Sequence, residues 1–178
     1  EQEHKLPGSG LRTDRALKIA DSTARAFTGQ NLALVTRVAN YQVFFNNPRI
    51  DSLGIDRMAL IRAVSTSLRE RLPGAAFVIP AEEAQLATAP QAIRERVING
   101  YRKGRSGDIF IVADPGWYAR SNGKRALGTS HGVWSPYDTH IPLIFMGRGI
   151  RPGHLYRETY ITDIAATLAA LLKTQYPT

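Results

Sequence analysis

After Thr13-Asp14, a pair suited to cap a helix, apolar residues recur at Leu17, Ala20, Ala24 and Phe27, in steps of three and four. That spacing predicts a helix with one apolar face, broken by Gly29-Gln30-Asn31. Residues 32–45 are rich in Val, Leu, Tyr and Phe with Ala39-Asn40 near the middle, and read as two short strands or a bent ribbon closed by Asn46-Asn47-Pro48. Ile61, Val64, Leu68 and Leu72 align on a second helix, about 56–72, which Pro73-Gly74 ends. Residues 75–79 follow as a buried strand. Thr88 and Pro90 open a third helix with Ile93, Val97 and Tyr101 on its apolar side. Residues 108–113, Asp-Ile-Phe-Ile-Val-Ala, form a continuous apolar strand of the kind covered on both faces, and 141–146 form another. A polar loop, 114–137, separates them; that length without structure of its own points to function or disorder. Thr162-Asp163 caps a last helix that packs Ile164, Leu168, Leu171 and Leu172.

Helices alternating with strands predict an α/β class: a central, mostly parallel sheet flanked by helices, with a smaller α/β lobe. The expected division is 1–95 for the smaller lobe or inserted segment and 96–178 for the part carrying the two strongest strands. At 178 residues the chain is long enough for one domain with a real core. Its composition, 43% hydrophobic and 21% charged, excludes a collagen or a fully disordered chain. The most apolar stretch, Ile164 to Leu172, is less than half of the roughly twenty residues a membrane-spanning helix requires. With no cysteine, disulfide frameworks, thiolate zinc fingers and cysteine nucleophiles are excluded. A chain that opens at Glu1, with methionine only at 58 and 146, reads as a processed product or an excised piece.

A net charge of +8 favours anionic partners such as phosphorylated substrates. The basic residues are scattered, with one cluster at Arg102, Lys103 and Arg105, and no aromatic-interleaved basic stretch marks a nucleic-acid binder. Chemistry concentrates at Gly128-Thr129-Ser130-His131-Gly132 and Tyr137-Asp138-Thr139-His140. Glycines on both sides of His131 let backbone approach a ligand closely, and imidazole is a common metal ligand. Spacing alone leaves open a metal site, self-contained with Asp138 and His140, or a hydrogen-bonded loop. His4 and His154 read as solvated or turn residues. No serine nucleophile elbow is present: Ser106 lies in Gly-Arg-Ser-Gly, and Ser130 adjoins His131 too closely to pair with it. No Walker-type phosphate loop is present either.

Arg105-Ser106-Gly107-Asp108, Pro115, Trp117, Gly128 to Gly132, Tyr137 to Leu143 and Ile161-Thr162-Asp163-Ile164 together resemble one family in order and spacing. It is the alkaline phosphatase superfamily, particularly its phosphate-irrepressible periplasmic members with a threonine nucleophile. The match is specific over about 96–178 and only general over 1–95. The resemblance implies a partial alkaline-phosphatase-like fold and a C-terminal portion of a periplasmic or secreted, two-zinc phosphate monoester hydrolase working through a covalent phospho-enzyme. It implies that His131 is a zinc ligand and that the nucleophile and remaining ligands lie upstream, so no catalytic residue falls in this chain. Thr129, Gly132 and Asp138 then shape or anchor the loop, Arg105 and Asp108 brace their strand, and Trp117 and Trp134 wall a cleft or pack the loop. The implied partners are a phosphorylated small molecule and the N-terminal part of the same protein. The chain alone is expected to be inactive. A phosphodiesterase or nucleotide pyrophosphatase of the same superfamily is the alternative activity. A non-catalytic module binding anions through Arg102, Lys103 and Arg105 is the alternative class.

Overall fold

A computed structural model describes residues 8–120 and 131–175. The chain divides into two compact units, one ending at Ile141 and one beginning at Pro142. In the first, β1 (Gly10–Arg12) leads into α1 (Thr13–Thr28); β2 (Val35–Ala39) and β3 (Gln42–Phe45) form a hairpin; α2 (Asn47–Ser52) and α3 (Arg57–Arg71) precede β4 (Ala75–Pro80). A 3-10 helix (Ala81–Leu86), α4 (Gln91–Gly100), β5 (Ile109–Ala113), β6 (Tyr118–Arg120) and the short α5 (Pro136–Thr139) complete it. The second unit holds α6 (Asp163–Leu172).

Among the described residues two sheets form, and with their helices they make the class α/β. β1 and β6 pair in parallel, and β2-β3-β5-β4 form an antiparallel sheet. The sheet takes β5 from beyond residue 95 and its other three strands from before it. The expected central strand is there: every residue of β5 is buried. Its continuous apolar run has a simple cause. Ile109, Ile111 and Ala113 enter one core with α1 and α3, while Phe110 and Val112 enter another with Ile79, Ala84 and Val97. Successive side chains on a strand point to opposite faces, so two covered faces demand apolar residues at every position, whichever way the neighbours run.

Helix positions follow the apolar pattern with adjustments. α3 buries Leu60, Ile61, Val64 and Leu68, and the Asp56 carboxylate caps it, accepting from Ala59 N–H at 2.9 Å. α1 buries Ala16, Ile19, Ala20 and Ala24, so the buried stripe lies beside the expected one and leaves Phe27 43% exposed. Thr13 and Asp14 fall inside its first turn, Arg12 takes the cap position, and no side chain caps it. The hairpin turns at Asn40 and Tyr41, both at positive φ, which matches the turn handedness that twisted strands prefer.

Two further expectations are corrected. Residues 141–146 form no strand: Ile144 and Met146 are 81% and 94% exposed, and no described strand lies beside them to take their backbone hydrogen bonds. An apolar run marks burial in a finished core, and that core is not assembled within the second unit. For the same reason α6 does not pack Leu168, Leu171 and Leu172, which are exposed; Ala169 is its buried residue.

Candidate functional site

β5 leaves the core at Ala113 and delivers the chain to a turn in which Trp117 N–H donates to Asp114 O. Gly74, at φ +81, lets Trp117 lie directly over it; a Cβ there would fall inside the indole ring. β6 then pairs with β1 and the chain returns to the described region at His131. Thr129, one of the loop-shaping residues inferred from the sequence, lies outside the described residues.

His131 is exposed, and the backbone after it is held at three successive positions. The Asp138 carboxylate accepts from Gly132 N–H at 2.7 Å and Val133 N–H at 2.8 Å through the same oxygen, Oδ2. Val133 is buried in the α1/α3 core. Trp134 packs on Phe110 with ring centroids 6.3 Å apart, and its carbonyl accepts from Arg96 Nη1 at 3.0 Å. Gly132 sits at φ +92, a conformation in which L side chains are strained, and its missing Cβ would stand 3.7 Å from Tyr41. The tight bend after His131 therefore needs a glycine for its backbone angle rather than for lack of space.

Asp138 comes from α5, whose first turn makes the reach possible. Pro136 at the helix start has no N–H to leave unpaired, and Asp138 and Thr139 N–H both donate to Ser135 O. Tyr137 on the same turn accepts from Gly116 N–H at 2.9 Å. Tyr41, from the hairpin, accepts from Ala119 N–H at 2.6 Å. Burial pushes the Tyr41 hydroxyl above its ordinary value; the Ala119 hydrogen bond opposes this, and the nearby Asp138 charge adds to it. Tyr41 and Tyr137 thus hold the strand entering the loop while Asp138 holds the chain leaving it. Sequence spacing pointed to Asp138 and its segment but not to Tyr41, which lies 78 residues from Ala119.

The self-contained metal reading is not assembled. Among the described residues no three His, Cys, Asp or Glu side chains gather, and His140 is exposed. Asp108 is a strand brace: its carboxylate accepts from Phe45 N–H, Asn47 Nδ2 and Arg57 Nη1, each at 3.0 Å. Arg57 also pairs with Glu82, which takes Tyr101 OH at 3.1 Å and Lys103 Nζ at 3.7 Å. Burial works to raise the Glu82 pKa; Tyr101, Arg57 and Lys103 outweigh it and bring the group below its ordinary value. Burial, and then the hydrogen bond to Glu82, push Tyr101 up to about 12. Lys103 of the basic cluster is thereby partly spent on Glu82. No helix in the described residues is long and apolar enough to cross a membrane.

No protein-family model matches the chain. Curated relatives do. The chain is 35% identical over 176 residues to alkaline phosphatase PafA of Elizabethkingia meningoseptica, and 35% identical over 175 residues to alkaline phosphatase PhoV of Synechococcus elongatus. It is 42% identical over 144 residues to a protein of Myroides odoratus named calcium-transporting ATPase. It spans 31%, 30% and 26% of those relatives. Crystal structures of wild-type PafA and of a quadruple mutant superpose on 99% of the chain, each over 32% of its own length, with TM-scores of 0.83 and 0.82 and identities of 35% and 34%. By sequence and by fold, the chain belongs to the alkaline phosphatase superfamily, beside its PafA-type members and at about three-tenths of their length.

Proposed function

We propose that this chain is the C-terminal part of a zinc-dependent phosphate monoester hydrolase of the periplasm or cell exterior, and that His131 supplies one ligand to its metal site. The supporting observation is an exposed imidazole on a backbone pinned immediately behind it by Asp138 Oδ2. A zinc site needs about four donors, and the described residues gather no three. One imidazole on a rigid bend fits a single ligand in a site whose other donors come from elsewhere in the protein. Bound zinc would supply Lewis acidity toward a phosphoryl oxygen and a nucleophile, giving the covalent phospho-enzyme chemistry of the family.

The part played by this chain is positional. Asp138 fixes the direction in which His131 leaves the backbone, and Gly132 permits the bend. A metal ligand whose backbone is pre-set loses less entropy on coordination, which is how residues behind a ligand set metal affinity. The substrate is a small phosphate monoester, an anion suited to a protein of net charge +8.

The test is hydrolysis of a chromogenic phosphate monoester by the full-length gene product and its His131→Ala variant, with zinc counted in both. A loss of turnover of about 100-fold or more with one zinc fewer per molecule is expected. Unchanged turnover and zinc content would return His131 to the role of a loop residue and bring the anion-binding module forward.

A further inference from the structure

A second built site lies along the open edge of the four-stranded sheet. A cleft of about 320 Å³ runs beside β4, between α3 on one face of the sheet and the 3-10 helix on the other. That volume is at the lower end of the range for small-molecule pockets. Its α3 wall is one stripe, Arg62, Ser65, Thr66 and Arg69, at positions i, i+3, i+4 and i+7. Phe77 and Ile79 of β4 and the 83% exposed Leu86 make the apolar part.

The charge balance of the cleft identifies its ligand. Arg62 is engaged by the Glu83 carboxylate, so that pair is neutral. Arg69 has no hydrogen bond or ion pair with any described residue, leaving one net positive charge. Ser65, 93% buried, lines the cleft and carries a hydroxyl with no partner, one that a ligand oxygen would satisfy. The sheet edge adds one more donor. Ile111 N–H is committed to Tyr41 O on the β3 side, so Val78, paired opposite Ile111, turns its own N–H away from β5 toward the open edge. Pro80 has no N–H, which limits this edge as a template for an added strand. One cation, two hydroxyls and one amide beside apolar surface suit a single-charged oxyanion on an apolar body.

We infer that the cleft between α3 and the 3-10 helix binds a small amphipathic monocarboxylate, its carboxylate on Arg69 and Ser65 and its body against Phe77, Ile79 and Leu86. This goes beyond the phosphatase reading and stands without it, because binding is read directly with no turnover. A phosphate monoester dianion would find only one unspent cation here.

The experiment is calorimetric titration of the full-length protein with 1-naphthoate, repeated with neutral 1-naphthalenemethanol and with inorganic phosphate as competitor. One saturable naphthoate site is expected, weakened about tenfold by Arg69→Gln, weakened for the neutral analogue, blocked by Ala87→Trp, and not displaced by phosphate. Ser65→Ala separates a ligand role from a structural one: it should weaken naphthoate several-fold while leaving the melting temperature of the free protein unchanged or higher. Melting curves establish that each variant is folded. No saturable binding, binding indifferent to both Arg69→Gln and Ala87→Trp, or full displacement by phosphate would overturn the assignment.

Discussion

Asp138 shows how much one carboxylate oxygen can organise. It accepts two consecutive backbone N–H groups at 2.7 and 2.8 Å, and the residue before them is the exposed His131. Asp138→Ala in the full-length protein should lower zinc affinity and turnover by about 10–100-fold while leaving His131 in place, with Asp138→Asn, which keeps one acceptor oxygen, falling between. Metal titration beside kinetics reads this, and equal metal affinity in all three proteins would remove Asp138 from the site. Gly132→Ala isolates the backbone requirement. At φ +92 with open space for a Cβ, the cost is conformational, about 1–2 kcal/mol, and should register as a lower melting temperature. His131, Gly132 and Asp138 were legible in the sequence because they lie within seven residues of one another. Tyr41 was not, and Tyr137 was singled out only as part of its segment, because a tyrosine hydroxyl accepting a distant backbone N–H has no local spacing signature.

At the scale of elements, β5 and its flanks are held by a charge network rather than by apolar burial alone. Asp108 joins β3, the start of α2 and the start of α3 through Phe45 N–H, Asn47 and Arg57. Removing its carboxylate leaves Arg57 without one of its two partners and Phe45 N–H unpaired, so Asp108→Ala should cost about 3 kcal/mol in a chemical-denaturation measurement. The titrations near it have definite signs. Glu82 is held below its ordinary pKa when folded, so its contribution is present above about pH 4.5 and is lost as pH falls below that. Tyr101 is raised to about 12, so its contribution is present below about pH 10, the ordinary value, and is lost as pH climbs toward 12. Melting temperature measured from pH 9 to 12 should fall less steeply in Tyr101→Phe than in the wild-type protein; parallel curves would detach Tyr101 from alkaline stability. α3, the hairpin and β5 were legible because their apolar pattern coincides with burial, and α1 was legible as a helix although its buried stripe lies beside the apolar one. α2, the 3-10 helix and α5 were not, since each is six residues or shorter and its hydrogen bonds, such as Arg49 N–H to Asn46 Oδ1, look like turn chemistry in sequence.

For the whole molecule, the two wrong placements point the same way. Residues 141–146 and the apolar side of α6 both read as core, and both are exposed: Ile144, Met146, Ile161, Leu171 and Leu172 all face solvent. Tyr156, at 94%, and Leu155, at 79%, extend the same apolar character along the intervening segment. Apolar surface on this scale marks an interface. The chain spans about three-tenths of its phosphatase relatives, and the proposed partner for this surface is the remaining part of the same protein. The 178-residue chain by itself should then associate, or bind a hydrophobic dye, through residues 141–172, and should show neither stoichiometric zinc nor phosphatase turnover. Replacing Ile144 and Met146 together with lysine should reduce its association in sedimentation and its dye fluorescence without restoring activity. The same pair of lysines in the full-length protein should lower its melting temperature, because burying an unpaired charge costs far more than exposing one. A wild-type 178-residue chain that sediments as a monomer, binds no dye and hydrolyses phosphate monoesters with chelator-sensitive turnover would show that it completes its own site.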